Sequence, residues 1–458
     1  MTTVLAAVVA ALVVVRVAWW VLTRPQRGVL LLAALVPFDG LLLVVPGGGA
    51  LGPWKEGLTL AVLAATLVAP ASARGERARP LPSWGYAVVG YGTLGLVAAA
   101  LAADLVGLWG LKVGYFYLVL PVVLWRCPFT ARDRDRLVTV LMATGAITAL
   151  VGLGQQVVGA ERLAGLGYEY NTTIRTAGGL LRAFSTFTQP FSFGLFVMLV
   201  LLVCLPVALS DPRRTRNLAF LAASPLLVVG MATSVVRGAF LGLAAGLLVL
   251  AVWRYRSLAH ALGPAVVGLF FLPPAVVAAF ASSTSLGQRT SGWSVVLERI
   301  LGAPWGNSVG YTGAGAEKAV EEGADPSQVL TLGGELYLPD NQYVKSALEL
   351  GVVGLWLLLV VGASVVVAGR RVARTAAAQG RTADRALAEG ITASVVGAAA
   401  AGLVSTYLEI FPLDVYFWLL LGVVLCLDRP APPSTGRLSL SGPAEAASRP
   451  TSASSSAH

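Results

Sequence analysis

The chain has 458 residues, 56% of them hydrophobic and only 12% charged, with a formal net charge of +10 and a mean hydropathy of +0.77. Soluble domains carry roughly 45–50% apolar and 25% charged residues, so this composition excludes a string of soluble domains and points to a polytopic α-helical membrane protein. A lipid-facing β-barrel is excluded as well, because its strands alternate where these segments run solidly apolar. The positive charge does not call for nucleic acid: Lys and Arg gather in short hydrophilic breaks, where they orient a membrane chain.

Apolar runs fall near residues 4–22, 29–45, 57–70, 84–103, 108–125, 137–157, 190–209, 218–236, 238–253, 259–279, 343–368, 387–408 and 414–427. The expected fold is an all-α transmembrane bundle of about 12–13 spans. The first run lacks a basic segment before it and a small-residue cleavage site after it, and is read as a retained helix. Breaks rich in Arg alternate with breaks poor in it, and the rich set, from Arg24 and Arg27 to the tail, holds 22 of the 33 basic residues. That set is assigned to the cytoplasm. The layout expected is an N-terminal bundle over 1–279, a long extracytoplasmic loop with short helices over 280–342, C-terminal transmembrane helices over 343–427, and a disordered cytoplasmic tail over 428–458. A second long outer loop covers about 158–189. Within 280–342, Trp293, Val296, Leu297, Ile300 and Leu301 recur at helical spacing, predicting an amphipathic helix that Gly302 and Pro304 end. Cys127, Cys204 and Cys426 have no paired spacing, so neither a disulfide framework nor a metal site is expected.

Arginines on the outer side cannot be explained by the cytoplasmic bias. The 280–342 loop is acidic overall, which sets its Arg289 apart, and two more outer arginines stand in polar motifs: Arg182 in RAFSTFTQP and Arg237 in TSVVRGAFLG. Arg237 lies between two spans with almost no loop, beside Gly238; it could be a snorkelling anchor. Asp340 opens DNQYVKSALELGVVG, where a polar loop meets a span, and could be a simple helix cap. Gly351 and Gly354 could merely allow close helix packing. Taken together, these residues fit a convergent anion site better. Arginine forks bind and neutralise phosphate oxygens of a leaving group, and a carboxylate takes the proton of an attacking hydroxyl.

These segments resemble the bacterial O-antigen ligase and Wzy-type polysaccharide polymerase superfamily, GT-C-like membrane glycosyltransferases. The ligase signature is His, then Asn, Ser or Gln, nine residues, Gly, two residues, Gly; here Asp340, Asn341, Gly351 and Gly354 reproduce its spacing. TSVVRGAFLG is similar to the family's Ser-Arg-Gly turn, with Val236 where Ser is usual. RAFSTFTQP and the stretch from GQRTSGW to APWGNSVG are similar to further family segments. The resemblance implies an enzyme that transfers or polymerises polyprenyl-pyrophosphate-linked glycan at the outer face of the bacterial cytoplasmic membrane, onto a glycan or lipid acceptor. It implies Asp340 and Arg237 as catalytic residues, and Arg182, Arg289, Asn341 and Gln342 as substrate-binding ones. No cofactor and no metal are expected, and membrane lipids are the remaining partners. The departure is Asp340, which stands where ligases carry His. Asp is the weaker base at neutral pH, so Glu335, Glu409 or Asp414 could assist, or Asp340 could orient the acceptor. Ligase and polymerase stay open. Two readings from other classes compete: a transporter or flippase of lipid-linked saccharides, disfavoured by the few intramembrane charges (Arg16 and Asp39) and the absence of an internal repeat, and a non-catalytic scaffold whose outer arginines bind anionic headgroups.

Overall fold

The structure, a computed structural model, describes residues 15–69, 80–102, 104–256 and 293–428. The expected span at 259–279, Arg289 and the tail beyond Asp428 lie outside the described residues, as does most of the first apolar run. Residues 15–23 are helical, and after Arg24 a new helix starts at Pro25. In order there follow α1 (Pro25–Leu35), continued by 3-10 turns over Val36–Leu43, α2 (Trp54–Val68), α3 (Gly85–Ala102), α4 (Leu105–Tyr115), α5 (Val119–Arg126), α6 (Ala131–Val158) and α7 (Ala160–Gly165). A small hairpin, β1 (Arg175–Ala177) and β2 (Leu180–Arg182), precedes α8 (Pro190–Ser210), α9 (Thr215–Thr233) and α10 (Arg237–Trp253). The segment before the last three helices contains α11 (Trp293–Gly302), α12 (Gly313–Glu321) and a hairpin of β3 (Thr331–Leu332) and β4 (Glu335–Leu336). Last come α13 (Gln342–Ala378), α14 (Thr382–Ala401) and α15 (Leu413–Leu427).

The fold is the expected polytopic helical bundle. Seven helical stretches among the described residues are long and apolar enough to cross a membrane, and α10 and α15 are shorter apolar helices. Of the thirteen apolar runs, each that is fully described carries a helix. Two strand pairs are additions. Both turn on Gly-Gly pairs with positive φ, Gly178–Gly179 and Gly333–Gly334, the two-residue loop whose twist suits an antiparallel hairpin.

The centre of the bundle is α8. It is apolar around its whole circumference and almost entirely buried, as a helix surrounded by others must be. It packs on α6, α9, α10 and α14. Small residues bring these neighbours close: Gly242 and Gly246 of α10 face Gly397 and Ala393 of α14, and Gly390 of α14 lies against the Val203 carbonyl of α8. Every residue of α15 is also buried.

The two ends of the bundle differ. At one end the Arg-rich breaks are tied to carboxylates: Arg24 to Asp133 at 2.7 Å, Arg134 to Asp384 at 2.8 Å, Arg216 to Asp135 at 2.9 Å, and Arg371 to Asp428 at 2.6 Å. Asp133 also completes a capping box with Thr130 that starts α6. The opposite end carries the hairpins, α11, α12 and the candidate site.

The decisive irregularity is in α13. Gly351 has φ 66° and ψ −163°, so the helix breaks there into a short arm, 342–350, and a long one. A straight helix would put Gln342 and Leu358 about 24 Å apart, yet both line one cavity; the arms therefore fold toward each other. The groups freed by the break are bonded by the loop after α11. Asn307 N and Ser308 N donate to the carbonyls of Leu348 and Glu349, each at 3.1 Å, and Val352 N donates to the Pro304 carbonyl at 2.9 Å. A Cβ on Gly351 would overlap the Pro304 carbonyl oxygen, and one on Gly306 the Glu349 carbonyl oxygen. Gly351→Ala is therefore expected to cost about 1–3 kcal/mol from φ alone and more from the overlap, while Gly362→Ala on the long arm, where a Cβ meets nothing within 4 Å, stays near the parent. Thermal unfolding of the two variants in detergent checks this.

Candidate active site

The RAFSTFTQP segment is held from three sides. Gln155, buried at the end of α6, accepts from Phe184 N and Ser185 N at 3.1 and 2.7 Å and donates to the Ser185 carbonyl at 2.8 Å. Gln156 donates to the Leu181 carbonyl at 2.9 Å, and Thr186 Oγ1 donates to the Pro37 carbonyl at 2.6 Å. On the third side Ala183 N donates to the Thr233 carbonyl at 2.9 Å, and Arg182 Nε to the Ser234 carbonyl at 3.2 Å. These last bonds join Arg182 to the turn that carries Arg237.

That turn is unusual. Val235 has φ 53° although it is β-branched, Val236 is extended, and Arg237 is the first residue of α10. Left-handed backbone recurs at Ser185, beside Arg182, and at Ser308, in the loop that fills the α13 break. Three of the sequence motifs thus each hold a non-glycine residue in a costly conformation, the pattern expected where geometry serves a site.

A third arginine joins the pair. Arg175 on β1 is the direct cross-strand partner of Arg182 on β2. Arg182 is half-buried, its guanidinium 4.9 Å from the centre of the Phe191 ring. Burial, then the charges of Arg175 and Arg237, pull its pKa down to about 10. Among the described residues no carboxylate lies within ion-pair distance of Arg175 or Arg182, in contrast to the opposite end of the bundle. Like charges held together without an acid make a site that an anion relieves.

Asp340 and the Arg237 turn are brought to the same place by the bend after α14. Asn341 Nδ2 donates to the Leu403 carbonyl at 3.0 Å, and Gln342 N to the Gly402 carbonyl at 2.8 Å. On the other side of that bend, a Cβ on Gly238 would lie 3.2 Å from Val404. Asp340 is exposed, and after burial its charge is the second cause that raises the Tyr337 phenol. Asn341 caps α13, accepting from Tyr343 N and Val344 N at 2.8 and 3.2 Å. The Gln342 Oε1 accepts from Leu408 N at 3.0 Å. Both side chains assigned to substrate are thus engaged in holding the short arm to the bend. Arg289 lies outside the described residues.

The structure buries charges that the sequence reading does not anticipate: Lys345 and Glu349 in the short arm and Glu409 in the 407–409 turn, while Arg16 is exposed. Lys345 bonds Glu349 and lies 3.3 Å from Glu409; Gly310 N donates to Glu349 at 2.9 Å, and Ala314 N to Glu409 at 3.4 Å. One ammonium thereby ties two carboxylates, the 310–314 loop and α12 to the arm. Of the carboxylates considered as alternative bases, Glu409 is held in this latch, Asp414 is buried and accepts from Val415 N, and Glu335 is exposed on β4. Asp39 pairs with Lys55 at 2.8 Å and accepts from Trp54 Nε1 at 2.8 Å.

The class defined by this fold and site is a polytopic helical membrane protein with an arginine cluster and a carboxylate at one end of the bundle. Residues 219–359 match the family described as O-antigen ligase, a family of membrane glycan ligases and polymerases. The match includes Arg237, Asp340, Gly351 and Gly354, and it supports the resemblance carried by the motifs. No curated protein matches the chain.

Gln155, Arg175, Lys345 and Glu349 escape a motif search. Their available signal is weak: an amide pair in an apolar run, an AGGL turn preceded by an arginine, and Lys and Glu four residues apart at a span's start. Removing one member of a buried charge group typically costs about 3–5 kcal/mol. Lys345→Met should therefore lower the unfolding temperature strongly, whereas the triple variant Lys345→Met, Glu349→Gln, Glu409→Gln should recover much of the loss by removing the stranded carboxylates. Unfolding followed by tryptophan fluorescence in detergent reads both.

Proposed function

We propose that the protein is a metal-independent glycosyltransferase that uses a polyprenyl-pyrophosphate-linked glycan as donor at the extracytoplasmic face of the bacterial cytoplasmic membrane. The observation that carries this reading is the joining of Arg182 and Arg237 through the Ser234 turn, in a chain whose segment 219–359 matches O-antigen ligase. Arg182, Arg237 and Arg175 bind the pyrophosphate. The acceptor hydroxyl oxygen attacks the anomeric carbon, and its proton passes to the Asp340 carboxylate. The bond from the anomeric carbon to the phosphate oxygen breaks, and its electron pair leaves with the polyprenyl pyrophosphate, whose charge the guanidinium groups stabilise. Arg289 is a further candidate for the same anion.

The division of roles is testable. Arg237→Lys keeps charge without the bidentate fork and should lose most activity; Arg237→Ala should also weaken donor binding. Asp340→Asn should lower turnover by about 10² to 10⁴-fold, the usual range for a general base, with donor binding little changed, and Asp340→His should retain partial activity. Transfer from a defined polyprenyl-pyrophosphate oligosaccharide, with and without a second acceptor and with EDTA, measures all of this. Wild-type transfer by both Asp340→Asn and Arg237→Ala would overturn the assignment, and dependence on a divalent ion would overturn metal independence. Longer lipid-linked glycan indicates polymerase, product on the second acceptor indicates ligase, and lipid-linked sugar crossing the bilayer without transfer indicates a transporter.

The face of the membrane has its own test. Glu317 on α12 is exposed, and the three native cysteines are buried, so Glu317→Cys reports with little background. A membrane-impermeant maleimide should label it in intact cells; labelling only after permeabilisation would reverse the topology.

A further inference from the structure

Toward the Arg-rich end of the bundle, α3 and the long arm of α13 part around a groove of about 420 Å³. Trp84 and Ala87 wall it on one side, and Val360, Ser364, Val367 and Arg371 on the other. Those four residues of α13 follow one another at spacings of three and four, so they share one face of the helix, and the next residue of that face is Arg374. From Val360 to Arg371 the helix rises about 16 Å, close to half of the roughly 30 Å hydrocarbon core of a bilayer. The groove therefore runs the depth of one leaflet, apolar along its length and cationic at its mouth. It stays open because small side chains, Ala87 and Ser364, stand where larger ones would fill the gap between the two helices. Its volume is nearly three times that of the roughly 150 Å³ apolar cavity that takes up a benzene ring.

Asp428 fixes the mouth. It accepts from Trp84 Nε1 at 3.3 Å and from Arg371 Nη2 at 2.6 Å, so a buried indole and a guanidinium are held on either side of the opening. The Arg371 side chain is nonetheless 56% exposed, and Nη2 is its one nitrogen bonded among the described residues. Arg374 is exposed, and among the described residues no carboxylate lies within ion-pair distance of it. Two arginines one turn apart present forks that match phosphate oxygens, and tryptophan is the residue enriched where a membrane meets water. Set against Asp428, the pair leaves one positive charge at the mouth. The complement is a phosphodiester of single net negative charge joined to a long hydrocarbon chain.

We propose that this groove seats one anionic phospholipid of the leaflet at the Arg-rich end, with its phosphate at Arg371 and Arg374 and one acyl chain lying between α3 and α13. The site is at the opposite end of the bundle from Arg182 and Arg237 and is independent of the glycosyl-transfer reading. A zwitterionic phospholipid brings the same phosphate and chain but sets an ammonium beside the two arginines, and the experiment separates the two.

The test uses full-length protein in phosphatidylcholine nanodiscs doped with phosphatidylglycerol that carries a diazirine midway along one acyl chain. Labelling is expected on peptides containing Ala87 or Val367, and unlabelled phosphatidylglycerol should compete it away, while diazirine phosphatidylcholine at the same dose leaves those peptides at background. Arg371→Gln combined with Arg374→Gln should cut the labelling about tenfold or more, since each basic residue near the surface adds to the attraction of an anionic lipid. Asp428→Asn, which releases Arg371 from its carboxylate while leaving an acceptor for Trp84, should raise it. Ala87→Leu and Ser364→Leu fill the groove from its two walls and should each lower the labelling with the unfolding temperature kept. Arg213→Gln removes an exposed arginine outside the groove and should leave labelling unchanged. Equal labelling by the two lipids, no labelling of the groove by either, full labelling of the double arginine variant, a fall with Asp428→Asn, or a loss as large with Arg213→Gln would each overturn the site.

Discussion

Three main-chain hydrogen bonds at the break in α13 set the geometry of everything around the site. A helix interrupted at membrane depth leaves amides and carbonyls with no water to bond, at several kcal/mol each. Here Pro304, Asn307 and Ser308 of the preceding loop supply the missing partners for Val352, Leu348 and Glu349. The loop thereby has one position, because only that position satisfies the break, and the short arm has one direction. Asp340 at the tip of the arm, the Lys345 latch beneath it and the cavity inside the bend all follow. Glycine at 351 is required twice, by its φ and by the approach of the Pro304 carbonyl.

The electrostatics of the two ends divide along a related line. At the Arg-rich end Arg24, Arg134, Arg216 and Arg371 have carboxylates within 3 Å, so their charge is consumed locally. At the other end Arg175 and Arg182 have backbone carbonyls as partners, and Arg182 is held near two more positive charges. The same residue type is thus in two electrostatic settings, and what separates them is the company of Asp and Glu. Net charge conceals this difference.

Much of the fold was legible in the sequence, because a solid apolar run of span length has few other uses, and the helix at Trp293–Gly302 and its stop came through at the predicted place. Arg182 and Arg237 could be singled out by position alone, and the structure brings them together. What stayed hidden depended on partners far along the chain. Lys345 and Glu349 look like a surface pair four residues apart until Glu409, Gly310 and Ala314 are placed beside them. Asn341 and Gln342 share a motif with Asp340, but their side chains face the helix start and the bend, a distinction that one-dimensional spacing does not encode. Gly351 could be read only as a packing residue, since a break inside an apolar run leaves no mark on hydropathy.

The burial of α8 bears on how the chain enters the bilayer. Among the seven long apolar helices of the described residues, the most apolar, α8, is also the most buried in the finished bundle. Its hydrophobicity answers an earlier need: it is synthesised before α10 and α14, and must partition into the bilayer while those neighbours are absent. α14 is the converse. It carries Asp384, Arg385 and Glu389 in its first half and is not among the helices apolar enough to cross unaided, yet it packs against α8, α10 and α13. Its route into the membrane therefore runs along protein, with α8 and the Gly242–Gly246 face of α10 as a waiting berth for its own Gly390 and Gly397, and the bend that joins Asp340 to Arg237 forms only when that late helix has docked.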